Sequence, residues 1–286
     1  MKPASPSALS PPLPAISPQE FAKFCEFFYR KTGIIFSESK RYFVERRVLE
    51  RMEATQSPTF REYFAMVRFE TGAQEMQSLV NAMTVNETYF FREDYQFDAL
   101  VGGILPDVSR NKEPGNTIRI WSLPCSTGEE PYSIAIYILE RWKRADDFNI
   151  EILASDIDSR VLQEARKGVY GERALSRIPQ KIREKYFTPK GDAFQIAEAL
   201  RESIDFSTIN IVDAEQMRDY SNIDVIFCRN LLIYFDDLAR RQAMETLYEC
   251  LAPGGFICLG HSESMSRMSS LYRPRRFSDA IVYQKP

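Results

Sequence analysis

The sequence predicts an α/β protein: a doubly wound, mostly parallel sheet preceded by a small all-helical domain. Two observations carry this. From Ser17 to about Met83 apolar residues recur at helical spacing, with no strand signals between them. After Pro114 short β-branched runs alternate with helical stretches, the grammar of a parallel sheet with crossover helices.

The elements follow in order. Residues 1–16 are rich in proline (Pro3, Pro6, Pro11, Pro12, Pro14), serine and alanine. A segment of that composition buries too little to offset its ordering entropy, so a disordered tail is expected. Ser17 stands where a helix N-cap belongs, with Pro18 at the first helical position and Glu20 at the third, a capping box. Phe21, Phe24 and Phe28 then mark one helix face. Lys40–Ala54, Pro58–Phe69 and Ala73–Met83 complete a helical domain over 17–85, and 86–105 reads as a linker into a domain over 106–286. In that domain Thr117–Ser122 (TIRIWS), Ile150–Asp156, Ile204–Asn210, Ile223–Cys228 and Gly255–Leu259 are predicted strands. Pro131–Lys143, Ser159–Lys167 and Leu238–Leu251 are the helices among them, and Ala280–Gln284 closes the chain as an edge or hairpin strand.

Composition excludes several function classes. Lys and Arg number 37 against 40 Asp and Glu, a net charge of −3, which fits bulk nucleic-acid binding poorly. The five cysteines, at 25, 125, 228, 250 and 258, have neither zinc-knuckle nor CxxC spacing, and free thiols in a reducing compartment are expected. His261 is the one histidine, so no His-rich metal site is expected and most His-driven triads are excluded. No uninterrupted apolar run reaches the ~18 residues of a membrane span, and no signal peptide opens the chain. A soluble cytoplasmic protein without membrane insertion is the expectation.

In sheets of this kind ligands bind beyond the carboxyl ends of the strands. After the first strand comes Ser122-Leu-Pro-Cys-Ser-Thr-Gly-Glu-Glu130. It has one glycine and two carboxylates, so it does not make a phosphate cradle, which needs bare backbone amides. Carboxylates there suit a ligand bearing ammonium or sulfonium charge and hydroxyls, although acids also serve a helix start. Asp156, ending the second strand, is placed to accept from ribose hydroxyls, while Asp158 is more simply a helix N-cap. Asn210 offers an amide to an adenine edge. Arg229 and Asn230 end the apolar strand IDVIFC and mark a polar site there, unless Arg229 pairs with a structural acid. Cys125 sits in the wrong turn for a methyltransferase nucleophile and reads as a buried filler. The NPPY or DPPY run of DNA amino-methyltransferases is absent.

A series of motifs in fixed order then identifies a likeness. These are Asn86-Glu-Thr-Tyr-Phe-Phe-Arg92, Trp121-Ser122, Ser126-Thr-Gly-Glu-Glu-Pro-Tyr-Ser133, Ala154-Ser-Asp-Ile-Asp158, Ile226-Phe-Cys-Arg-Asn230, Tyr234-Phe-Asp236, Leu251-Ala-Pro-Gly-Gly255 and Gly260-His-Ser-Glu263. Together, over about Ser17 to Tyr283, the chain closely resembles the CheR chemotaxis receptor methyltransferases. The resemblance implies a Rossmann-like domain that uses S-adenosylmethionine, with S-adenosylhomocysteine as product, and carries a small inserted β-subdomain at about 186–208. It implies methyl esterification of glutamate side chains on the cytoplasmic domain of bacterial chemoreceptors. It also implies that Asn86, Thr88, Arg92, Glu130, Asp156, Asn210, Ile211, Arg229 and Asn230 surround the cofactor. Arg92 would steer the substrate carboxylate, and Tyr234 would lie near the reacting methyl. A monomer with no nucleic-acid partner is expected.

Lys40, Arg47 and Arg51 fall on one helix face, and acidic receptor helices would dock there electrostatically; a solvated face is the plainer alternative. The segment Thr188–Ile209 is short for the inserted subdomain, which in some relatives captures a receptor tail by strand addition, so tail capture stays open. Two other functions remain: a methyltransferase of another substrate, and a non-catalytic adaptor that binds S-adenosylmethionine.

Overall fold

The computed structural model describes residues 16–69, 74–265 and 268–286. The expected tail therefore lies outside the described residues, except Ile16, which is buried and whose carbonyl accepts from Arg41 Nη2 at 2.9 Å. The chain divides into two compact units. One holds the described residues up to Phe28 together with Phe36–Met83; the other holds Tyr29–Ile35 and everything from Thr84 onward.

The first unit is helical, with α1 (Pro18–Thr32) continuing into the second unit, α2 (Arg41–Ala54), α3 (Phe60–Phe69) and α4 (Gln74–Met83). The capping box forms: Ser17 N–H donates to Glu20 Oε2 at 2.9 Å, and Glu20 N–H to Ser17 Oγ at 3.3 Å. Phe21, Phe24 and Phe28 are buried, as are Val44, Val48 and Met52 at four-residue steps on α2. Glu75 is buried among them, satisfied by Arg51 Nε at 3.0 Å and the Tyr63 hydroxyl at 2.8 Å.

From Thr84 onward the second unit has α5 (Tyr95–Ala99), a π-wound stretch (Leu100–Ile104) and α6 (Leu105–Ser109), a helical run that begins in what the sequence read as linker and extends past it. Next come β1 (Thr117–Ser122), α7 (Glu129–Arg141), β2 (Asn149–Asp156) and α8 (Ser159–Lys167). A small region follows, with β3 (Val169–Tyr170), α9 (Glu172–Leu175), α10 (Gln180–Tyr186), β4 (Phe187–Lys190), β5 (Ala193–Ile196) and α11 (Glu198–Glu202). The chain ends with β6 (Ile204–Thr208), α12 (Ala214–Met217), β7 (Ile223–Cys228), α13 (Asp237–Cys250), β8 (Leu251–Leu259), β9 (Arg273–Phe277) and β10 (Ala280–Gln284).

Seven strands form one sheet in the order β6-β2-β1-β7-β8-β10-β9. The first five are mutually parallel; β10 runs antiparallel to both β8 and β9. Three strands form a second sheet, β3-β5-β4. This corrects the placing of the insertion at 186–208. The small sheet starts earlier, at Val169, and Ile204–Thr208 pairs in parallel with β2 as a strand of the main sheet. Of the two readings of the terminal strand, edge or hairpin, the structure gives the hairpin: β10 pairs back on β9, and β9 is the edge, where its Pro274, Arg273 and Arg276 suit an exposed edge that must not recruit another strand.

The order of strands places the site. From β1 the chain builds outward through β2 to β6, then returns across to β7 and β8 on the other side. The loops after β1 and β7 thus part in opposite directions and open a crevice at the carboxyl edge.

Candidate active site

Three clusters line that edge. The first lies between β1 and β7. Arg229 follows directly on β7, its side chain only 2% exposed. Its Nη1 meets Glu130 Oε2 at 2.8 Å, and its Nη2 meets Glu93 Oε2 at 3.1 Å and the Arg92 carbonyl at 2.7 Å. Ser122 Oγ donates to the other Glu130 oxygen at 2.7 Å. Burial pushes the Glu130 carboxyl up, against the opposing pull of the Arg229 charge. Glu93, which the sequence reading left out, also accepts from Gln96 Nε2 and from the His261 backbone N–H. Arg229 Nε is buried and has no partner among the described residues.

The second cluster lies at the end of β2. Asp156 is buried, with one oxygen accepting the Ser126 N–H at 2.8 Å and the other the Asp158 N–H at 2.9 Å. Burial raises its pKa to about 6, with those two N–H donors pulling the other way. Asp158 caps α8 through the N–H groups of Arg160 and Val161. The Asn86 side-chain amide donates to Asp158 at 2.8 Å, and the Asn86 carbonyl accepts from Ser126 Oγ at 3.2 Å, so Asn86 braces the turn that holds Asp156. Thr88 is half-buried in the same segment.

The third cluster follows β7. Glu263 accepts three backbone N–H groups, from Gly260, Asn230 and Leu232, at 2.8, 2.9 and 2.8 Å. A Cβ on Gly260 would sit 2.8 Å from that carboxylate and 2.9 Å from Asn230 Nδ2, so the close approach requires glycine. Glu263 stands in the motif Gly260–Glu263, but an acid four residues beyond a strand carries no local sign that it organises another loop. The loop it fixes presents Tyr234, whose hydroxyl burial pushes up and the nearby Arg92 charge pulls back down. Arg92 itself is half-buried, donating to the Glu87 carbonyl at 3.0 Å, its guanidinium 5.9 Å from the centroid of the Tyr89 ring.

Glu130, Arg229 and the Arg92 backbone are thus brought together, as are Asn86 and Asp156, and Arg92 and Tyr234. Asn210 departs from expectation. Its amide nitrogen donates to the Lys31 carbonyl at 2.6 Å and its oxygen accepts the Val212 N–H at 3.3 Å, so both ends are already engaged; Ile211 beside it is buried. The proposed docking residues lie in the helical unit. Arg51 turns to buried Glu75, leaving exposed Lys40 and half-buried Arg47, which pairs with Glu50 at 2.9 Å. Cys125 is buried, and burial pushes its thiol well up, away from nucleophilic chemistry. Among the described residues no cluster of His, Cys, Asp and Glu suits a metal ion, and no helix is long and apolar enough to cross a membrane.

A parallel sheet whose first two strands lead into buried carboxylates, without a phosphate cradle, defines the class: a Rossmann-like, S-adenosylmethionine-dependent methyltransferase. Residues 86–280 match the family described as CheR methyltransferase, SAM binding domain, and 19–84 match CheR methyltransferase, all-alpha domain. The chain belongs to the CheR methyltransferase family. It is 48% identical over 272 residues to chemotaxis protein methyltransferase 2 of Vibrio cholerae, covering 95% of this chain and 94% of that one. It is 37% identical to chemotaxis protein methyltransferase 2 of Pseudomonas aeruginosa, covering 89% and 90%. To the chemotaxis protein methyltransferase of Salmonella typhimurium it is 32% identical, covering 89% and 86%.

Proposed function

We propose that this methyltransferase esterifies glutamate side chains on the cytoplasmic domain of bacterial chemoreceptors, acting in the cytoplasm as a monomer. The observation that carries the reading is the pairing of enclosed carboxylates at the ends of β1 and β2 with a cationic and phenolic rim, Arg92 and Tyr234. The residues fit S-adenosylmethionine. Asp156 is buried at the end of β2, where its carboxylate, held by backbone N–H groups, is placed to accept from ribose hydroxyls. The unpartnered Arg229 Nε supplies a buried donor for a carboxylate beside Glu130. When bound, S-adenosylmethionine supplies a methyl group on a sulfonium, which a carboxylate oxygen takes in one displacement to give the ester and S-adenosylhomocysteine.

The chain's own residues then have little proton chemistry to do. A glutamate of pKa ~4.3 is ionised about 500:1 at pH 7 and is already a nucleophile. Arg92 orients the incoming carboxylate, Tyr234 walls the reacting carbon from water, and Asn230 and Glu263 hold the loop that presents Tyr234. Asn86 and Thr88 close the linker side, Asn86 through its brace on Asp158. Asn210 and Ile211 border the adenine side, with Asn210 acting through the loop it fixes.

Transfer of labelled methyl to isolated receptors, released by base as methanol, is the expected result. A nucleic-acid product would release no methanol, and an adaptor would transfer nothing. In the same assay Lys40→Glu with Arg47→Glu should raise the receptor KM several-fold by removing the positive face, with the cofactor KM unchanged. Equal change in both would remove the docking role.

The titration of Asp156 gives a pH signature. Ribose hydroxyls donate to the ionised carboxylate, so ligand binding favours deprotonation. Affinity for S-adenosylhomocysteine should be flat above about pH 6 and fall as pH drops through that value, by at most about tenfold per unit. Asp156→Asn should weaken binding by about tenfold or more and abolish the dependence. Calorimetric titrations at pH 5 and 7.5 that gave equal wild-type affinities would refute it.

A further inference from the structure

Residues Tyr29–Ile35 reach two loops that leave strands not adjacent in the sheet. β6 and β7 are separated by β2 and β1, about 14 Å at ordinary strand spacing. On the β7 side the Tyr29 hydroxyl lies 3.0 Å from each oxygen of Asp236, the residue that caps α13 by accepting the Ala239 N–H at 2.8 Å. Ile35 N–H donates to the Tyr234 carbonyl at 3.0 Å, and Ile34 bridges antiparallel to Phe235. On the β6 side the Lys31 carbonyl takes the Asn210 amide at 2.6 Å.

Gly33 is where the two sides meet. Its φ is +74°, and a Cβ there would lie 3.0 Å from Val212 Cγ1 and 3.3 Å from the Phe235 ring. Thr32, Gly33 and Ile34 are buried between the loops. Each loop alone would lose conformational freedom on closing around a ligand, and a segment that already holds both removes part of that cost.

We propose that Tyr29–Ile35 is a clasp whose contacts hold the Asn210–Val212 and Tyr234–Asp236 loops in register, with Tyr29 and Gly33 as positioning residues for retention of the adenosyl ligand. The inference rests on the assignment of those two loops to the cofactor crevice. Tyr29→Phe removes one hydroxyl on a carboxylate and leaves the ring in place.

The expected result is a Kd for S-adenosylhomocysteine about tenfold higher in Tyr29→Phe. The KM for S-adenosylmethionine should rise in parallel and the receptor KM should stay unchanged. In the unmodified protein, S-adenosylhomocysteine should slow hydrogen exchange at the Ile35 amide, a readout that needs no variant to fold. A folded Tyr29→Phe protein with a lower melting temperature and the wild-type Kd would make Tyr29 merely structural and overturn the clasp. Ile35 exchange indifferent to bound ligand would overturn it too. Failure of the unmodified chain to bind S-adenosylhomocysteine would instead sink the crevice assignment on which the clasp rests.

Discussion

Replacing Arg229 by leucine should destabilise the protein by about 3–5 kcal/mol at neutral pH, because it leaves two carboxylates enclosed without a cation. Glu130 and Glu93 have side chains only 12% and 15% exposed, and both take their charge partner from this one guanidinium. Burial and the neighbouring Glu93 already push Glu130 up while Arg229 restrains it. Without Arg229, Glu130 binds a proton in the folded state at pH values where the unfolded chain has lost it. Stability of the variant then falls as pH rises through that window. Urea unfolding should therefore show a larger deficit against wild type at about pH 7.5 than at about pH 5.5. A deficit below about 1 kcal/mol, or one equal at both pH values, would mean that the network is not a charge-compensating unit.

Arg92→Ala should lower the turnover of receptor methylation by about a hundredfold, the order expected when a reacting group loses its alignment. The protein should stay folded, with unfolding free energy within about 0.5 kcal/mol of wild type. The guanidinium is half-buried and donates to the Glu87 backbone carbonyl, a contact at the protein's rim, so little of the fold hangs on it. What the substitution removes is the positive charge beside Tyr234. Because the Arg92 carbonyl, which alanine retains, is what Arg229 uses, the ion network should survive. Unchanged methanol release by the folded variant would take the steering role away from Arg92.

The strands that form the crevice were legible because their information is local. TIRIWS and IDVIFC alternate or run apolar in windows of six residues, and the structure forms strands over those spans. The helical run Tyr95–Ser109 was not legible, since two glycines and a proline interrupt it and its π-wound turn brings Gly103 against Phe277, far along the chain. Nor was β9, whose proline and three arginines have poor strand propensity; its ladder with β10 supplies what the residues lack. Arg51 shows the limit of helical-wheel logic. Its position on the face of α2 was readable, but its partner on α4, 24 residues away, was not.

By itself the sequence determined the class of fold, the loops that would carry the chemistry and the family. Those depend on periodicity and on residue types within one turn or one strand. Only the tertiary structure decided the partnerships: Arg229 with Glu130 and Glu93, Glu263 with the loop after β7, and Tyr29 with Asp236, 207 positions apart. A buried charge or donor takes whichever complement the packed chain brings within about 3 Å. That choice is made by the sheet order and the crossovers, which no short window of sequence contains.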